Sequence, residues 1–88
     1  MGLGLTETAK WIKARLSAGQ FRLSIHAVER AEQRVVTELD IRRCGMTAEI
    51  VKYQADKGTW RIEGYDCDGE NLTVICAVHE MLLVITVF

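Results

Sequence analysis

A histidine and two arginines stand at four-residue intervals in one short segment: His26, Arg30 and Arg34. On a helix, steps of about 100° per residue place the three within about 80° of one another. Arginine presents a planar fork of donors that grips a phosphate through two bonds. Histidine titrates near neutral pH and moves a proton in either direction. The stripe therefore fits a phosphate group with proton-transfer chemistry at one end. Val28, Ala31 and Val35 occupy the neighbouring sector and mark a buried face, while Glu29 and Glu32 point to the far side. Plain packing explains the same pattern, because amphipathic helices carry arginine at the border, with the stem packed and the head in water.

Other chemistry-bearing residues form weaker patterns. Cys44, Cys67 and Cys76 make an odd count without CxxC spacing, which argues against a disulfide framework and fits a reducing compartment. His26, His79 and the cysteines lack any metal-ligand spacing, so no metal or other cofactor is expected. His79, beside Glu80, reads as a turn residue. Arg61, Glu63 and Tyr65 alternate along one strand face, as an extension of a site or as a solvated surface. No Ser-His-Asp or Cys-His hydrolase pattern is present. The net charge of -1 excludes a protein that holds nucleic acid by bulk electrostatics. Any contact with RNA has to use a local basic patch.

The elements that must position these residues follow from length and pattern. With 88 residues the chain makes one domain, 1–88. No apolar run approaches the ~20 residues of a membrane span. No basic segment followed by an apolar stretch opens the chain, so no secretory signal or membrane role is expected and a cytoplasmic location is. Gly2 and Thr6 formally match a short and common myristoylation pattern. Thr6 can cap a first helix ending near 17, with Gly19 just beyond it and Leu5, Ala9, Ile12 and Leu16 as its apolar stripe. Trp11 lies off that stripe. Residues 21–25 read as an edge strand or an extended lead-in. A second helix covers about 26–34. Thr37 and Asp40 then form a capping-box-like start for a third helix, which Gly45 stops.

From residue 49 onward the pattern turns to strands. Segments 49–54, 59–66, 71–79 and 82–88 are joined by the turn 55–58, by Asp68-Gly69 and by Glu80-Met81. Two-residue loops at the latter two turns set Ile62 opposite Ile75 and Ile75 opposite Thr86. One face then carries Trp60, Ile62, Ile75, Ala77, Val84, Thr86 and Phe88. The other carries Arg61, Glu63, Tyr65, Leu72, Val74, Cys76, Leu83, Ile85 and Val87. Both faces of the last two strands are apolar. Either helices cover both, or one face meets a partner or a second copy in a homodimer through the sheet.

The pattern Ser24-x-His26-Ala27-x-x-Arg30-x-x-x-Arg34, followed by Thr37 and Asp40-Ile41, resembles the signature of a bacterial family catalogued as domain of unknown function 4258. The resemblance continues through Gly45, Glu49-Ile50-Val51, the Asp68-Gly69 turn and the closing Val84-Ile85-Thr86-Val87-Phe88. It covers 21–88 and leaves 1–20 as a variable N-terminal helix. It implies a fold shared with RelE-like toxins and barnase-type ribonucleases, and a zinc-finger antitoxin-like protein as partner. The implied activity is a toxin-like, metal-independent ribonuclease of a toxin–antitoxin type system. In such cleavage a base takes the proton of the 2′-hydroxyl, a cationic group steadies the phosphorane, and an acid protonates the leaving oxygen. His26 is then the acid or base, Arg30 and Arg34 are the phosphate ligands, and Thr86 adds a hydrogen bond. RelE-like toxins are strongly basic and this chain is slightly acidic, a departure that bears on the RNA substrate.

The expected fold is α+β: two or three N-terminal helices packed on a four- to five-stranded, mainly antiparallel meander sheet. The first expected function is RNA cleavage or RNA binding centred on His26. The alternative is a non-catalytic interaction module or homodimer using the apolar sheet face.

Overall fold

The computed structural model describes residues 4–88. Gly2, and with it the myristoylation pattern, lies outside the described residues. Helix α1 runs Leu5–Ala18, strand β1 is Arg22–Leu23, and helices α2 and α3 span Ile25–Arg34 and Glu38–Thr47. Strands β2 (Ile50–Gln54), β3 (Thr59–Tyr65), β4 (Asn71–Val78) and β5 (Leu82–Val87) follow. The fold is α+β, with the helices ahead of a mainly antiparallel five-stranded sheet in the order β1-β5-β4-β3-β2. The segment 21–25 contains a strand, and β1 pairs in parallel with β5 through Arg22↔Leu83 and Leu23↔Val84.

Local chemistry sets the helix ends. Gly19 closes α1 at φ 75°, a left-handed conformation that costs glycine no Cβ clash. Thr37 and Asp40 form a reciprocal capping box at the start of α3. Gly45 does not stop α3, which continues to Thr47. A Cβ at Gly45 would sit 2.5 Å from the Leu16 Cβ, so this glycine lets α1 and α3 touch backbone to backbone. Gly64 does the same for β3, where a Cβ would meet the Cys44 carbonyl oxygen at 2.5 Å.

All three helices lie on one face of the sheet. Ile12 and Leu16 of α1, Ala27 and Ala31 of α2, and Ile41 and Cys44 of α3 share one core cluster with Trp60, Ile62, Leu72, Val74, Cys76, Leu82, Val84 and Val87. This corrects the sheet faces expected from sequence. The β3–β4 loop holds three residues between Asp66 and Glu70, whose N–H···O bond is 2.8 Å, with Gly69 at φ 82°. Ile62 therefore pairs with Val74, one residue away from Ile75. A one-residue slip moves every side chain of the partner strand to the other face. In β5 the expected pair Ile75↔Thr86 is present, yet Cys76 faces Val84, because a bulge at Ile85 interrupts the ladder. Leu72, Val74, Cys76 and Val87 thus lie under the helices. The opposite face carries Arg61, Glu63, Tyr65, Thr73, Ile75, Leu83 and Thr86, all half-buried.

Candidate functional site

Helix α2 is fixed to the sheet by one side chain. The Ser24 hydroxyl accepts the Ala27 N–H at 3.0 Å and donates to the Ile85 carbonyl at 2.8 Å. The Ser24 N–H donates to the Val84 carbonyl at 2.9 Å. The N-cap is therefore also the joint between α2 and the bulged part of β5. Serine has the short polar side chain for that double task. The amides of Ile25 and His26 belong to the first turn, where N–H groups have no carbonyl within the helix to meet. No acidic residue occupies that turn, so the positive end of the helix stands beside His26, with Glu29 following three residues on.

Ala27 and Ala31 form the buried stripe of α2, at 0% and 7% exposure. This corrects the expected apolar sector: Val28 and Val35 are exposed, at 40% and 83%. The stripe is rotated toward the arginine side, so the helix approaches the sheet through small residues. His26 and Arg34 are exposed and Arg30 is half-buried on the flank of that stripe. The ion pair among the described residues is Arg61–Glu63 at 2.9 Å, away from α2. Arg30 and Arg34 thus form no ion pair with a carboxylate among the described residues. Val35 closes the helix at φ 55°, a left-handed conformation that a β-branched residue adopts at a cost.

His26, Arg30 and Arg34 are brought onto one helix flank. Thr86 belongs elsewhere. It sits on the open sheet face in the row Arg61, Ile75, Thr86, one residue past the carbonyl that anchors α2. Arg61 on that row stacks 5.3 Å from the Phe88 ring centroid and pairs with Glu63.

Of the three thiols, two are buried in the core. Burial pushes the Cys44 and Cys76 thiols up to about 12, and the Cys44 thiol donates to the Leu72 carbonyl at 3.3 Å. Cys67 is exposed, and its thiol is also raised, by the neighbouring Asp40 carboxylate. Asp40 accepts the Thr37 N–H at 2.8 Å and the Cys67 N–H at 3.0 Å. The bond from the Thr37 amide is the main reason its carboxyl lies below the usual range, with the Cys67 bonds adding to it and burial opposing. Among the described residues no three His, Cys, Asp or Glu side chains converge as metal ligands. No described helix is long and apolar enough to cross a membrane.

Sequence reasoning did not single out Ser24 as the anchor of α2, although a serine directly before a helical pattern is an N-cap signal. It also passed over Arg15 and Arg22, whose proximity depends on how α1 and β1 pack. In comparison with known families, the model of DUF4258, described as a domain of unknown function, matches residues 23–88. No curated protein and no solved structure matches the chain.

Proposed function

We propose, from the premise that this chain belongs to the DUF4258 family, that it is a toxin-like RNA-cleaving or RNA-binding protein acting through the α2 strip. The observation that carries this reading is an exposed histidine in the first turn of a helix, followed on the same flank by two arginines without carboxylate partners. His26 serves as general acid or base toward the 2′-hydroxyl or the leaving oxygen. Arg30 and Arg34 hold the phosphate, aided by the first-turn amides and the helix dipole. The chemistry asks for no metal. Thr86, on the open face, adds a hydrogen bond only to a substrate that wraps over the edge of β5. A small zinc-finger antitoxin-like protein is the partner that would mask the strip. The slightly acidic chain confines RNA binding to this local basic region.

The test is purified protein with single-stranded RNA in the presence of a chelator. Products ending in a 2′,3′-cyclic or 3′-phosphate are expected, and growth of a bacterial host should slow on expression of the wild type and recover with His26→Ala. Cleavage that survives His26→Ala, or that requires a divalent metal, would remove His26 from the mechanism.

A second reading rests on the one-sided sheet. Half-buried Ile75 and Leu83 lie on the sheet face that no described helix covers. A non-catalytic module binding a partner or a second copy there is the alternative. A monomer by light scattering at high concentration would count against the homodimer.

A further inference from the structure

A second cationic feature lies just upstream of α2. The end of α1, strand β1 and the β4–β5 turn enclose a cleft of about 290 Å³ lined by Arg15, Gly19, Gln20, Phe21, Arg22 and Met81. No carboxylate lines it. Glu38 and Arg42 approach Gly19, each 3.3 Å from where its Cβ would stand. Arg15 is held in place from two sides. Its guanidinium lies 5.1 Å from the Trp11 ring centroid, and one Nη donates to Gln20 Oε1 at 3.1 Å. Arginine has five donors, so most of its fork stays free for a ligand. Arg22 is exposed on β1, opposite Leu83. Phe21 is half-buried against the core and Met81 is 46% exposed, so the cleft has an apolar wall as well as two cations.

This cleft adjoins the α2 strip. Arg22 precedes Ser24 by two residues, about 7 Å of extended chain. Arg22, paired with Leu83, lies on the open face of the sheet, so a strand leaving the α2 N-terminus at His26 reaches Arg22 and Arg15 by passing over the sheet edge at β1.

We propose that the cleft is a nucleotide subsite for single-stranded RNA, holding a nucleotide that flanks the phosphate at His26. Arg15 and Arg22 take the backbone phosphate as guanidinium forks, and the base lies against Phe21 and Met81. This combination of cation and flat apolar surface is how single strands are held without sequence readout. An acidic peptide would satisfy the arginines and leave the apolar wall without a role. A cleft of this volume has room for an unstacked base. The inference rests on the RNA reading of the α2 strip and assigns the next contact along the strand.

The experiment uses two RNAs. A fluorescein-labelled 12-nucleotide single strand is titrated by anisotropy into the His26→Ala protein, which spares the RNA, and into the same protein carrying Arg15→Gln and Arg22→Gln. A dinucleotide, which lacks the further phosphate that Arg15 and Arg22 take, is offered to the otherwise native protein and to the arginine double variant to report on the His26 strip alone. The two arginine changes are expected to weaken 12-mer binding by about tenfold or more and to lower the salt slope by about 0.7, for the one phosphate no longer neutralised. They should leave dinucleotide cleavage unchanged, and circular dichroism should show the fold intact. Cleavage of the dinucleotide with undiminished 12-mer binding by the double variant would overturn the subsite and leave the strip standing. Arginine-dependent 12-mer binding without any cleavage would keep the subsite and remove catalysis from the strip. Failure of the His26→Ala protein to bind the 12-mer, or preference for an acidic peptide or duplex over the single strand, would overturn the subsite.

Discussion

At the scale of single residues, exposure decides what each change will do. His26 is exposed, so His26→Ala should leave thermal stability within about 0.5 kcal/mol of wild type. If RNA cleavage is the activity, the same change should lower its rate by about 10²–10⁴-fold, the usual loss for one acid–base group. Val35 is the opposite case, with no evident chemistry and a strained backbone. At φ 55° and 83% exposure it gives up little packing on substitution. Val35→Asn, which tolerates the left-handed region, should raise unfolding stability by about 1 kcal/mol in a denaturant titration. A neutral or negative result would mean that the valine makes an apolar contact that compensates its backbone. The thiols separate in the same way. Cys67 should react with an aromatic disulfide reagent in the native state, at a rate slowed by the Asp40 carboxylate that raises its thiol. Cys44 and Cys76, buried and raised to about 12, should label only on unfolding.

At the scale of elements, the caps carry the joints. Asp40 caps α3 and also accepts the Cys67 N–H, tying the helix start to the β3–β4 loop. Its carboxyl lies below the usual range, so the ionised form is the one that the fold stabilises. That stabilisation is complete above the ordinary Asp value of about 3.9 and is lost as pH falls through the lowered folded value. Asp40→Asn should accordingly flatten the acid limb of a stability-versus-pH curve while lowering the neutral plateau. Two of these ends were legible in the sequence, since the Thr37–Asp40 spacing announces its box and Gly19 the end of α1, whereas Thr6, expected to cap α1, lies inside a helix whose N-cap is Gly4. The strand faces were not, for a physical reason. Asp68-Gly69 suits a two-residue loop and equally the end of a three-residue one, and the two differ by the single residue that inverts a strand. The bulge at Ile85 has no signature in a run of apolar and β-branched residues, since nothing in Leu83 to Thr86 marks the extra residue. Gly45 looked like a stop because a helix end and a close helix crossing both favour glycine. His26, Arg30 and Arg34 were legible as one stripe, whereas the cleft around Arg15 and Arg22 depends on the parallel pairing of β1, which no local pattern encodes.

At the scale of the whole molecule, the question is where the folding unit begins. The family match starts at residue 23, yet α1 lies before it and supplies two fully buried side chains, Ile12 and Leu16. Removing α1 would uncover the α3 surface around Gly45, which is shaped to receive the backbone and side chain of Leu16 and has no side chain of its own to cover the gap. It would also remove the Ser17 carbonyl that accepts the Arg42 Nε–H at 3.1 Å, and Lys13, whose ammonium donates to the Ala48 carbonyl at 3.3 Å. Burial of one large aliphatic side chain contributes roughly 1.5–3 kcal/mol, and a domain of this length has only about 5–15 kcal/mol in total at its disposal. A chain restricted to residues 21–88 should therefore fail to unfold cooperatively and should bind hydrophobic dye. Leu16→Ala in the full chain should keep the fold but cost about 2–5 kcal/mol, because the cavity lies between two helices that glycine already holds at contact. Gly45→Ala should be more damaging than the usual helix-favouring exchange, since its Cβ would stand 2.5 Å from that of Leu16. Combining Gly45→Ala with Leu16→Ala does not restore the room, because the Leu16 Cβ that clashes remains in alanine. Only Leu16→Gly removes that atom, so Gly45→Ala should cost less in a Leu16→Gly background than in wild type, by the size of the clash. Equal cost in both backgrounds, measured as a double-mutant cycle, would mean that α1 does not press on α3 as described. The helix would then be an addition to the family domain and not a part of its core.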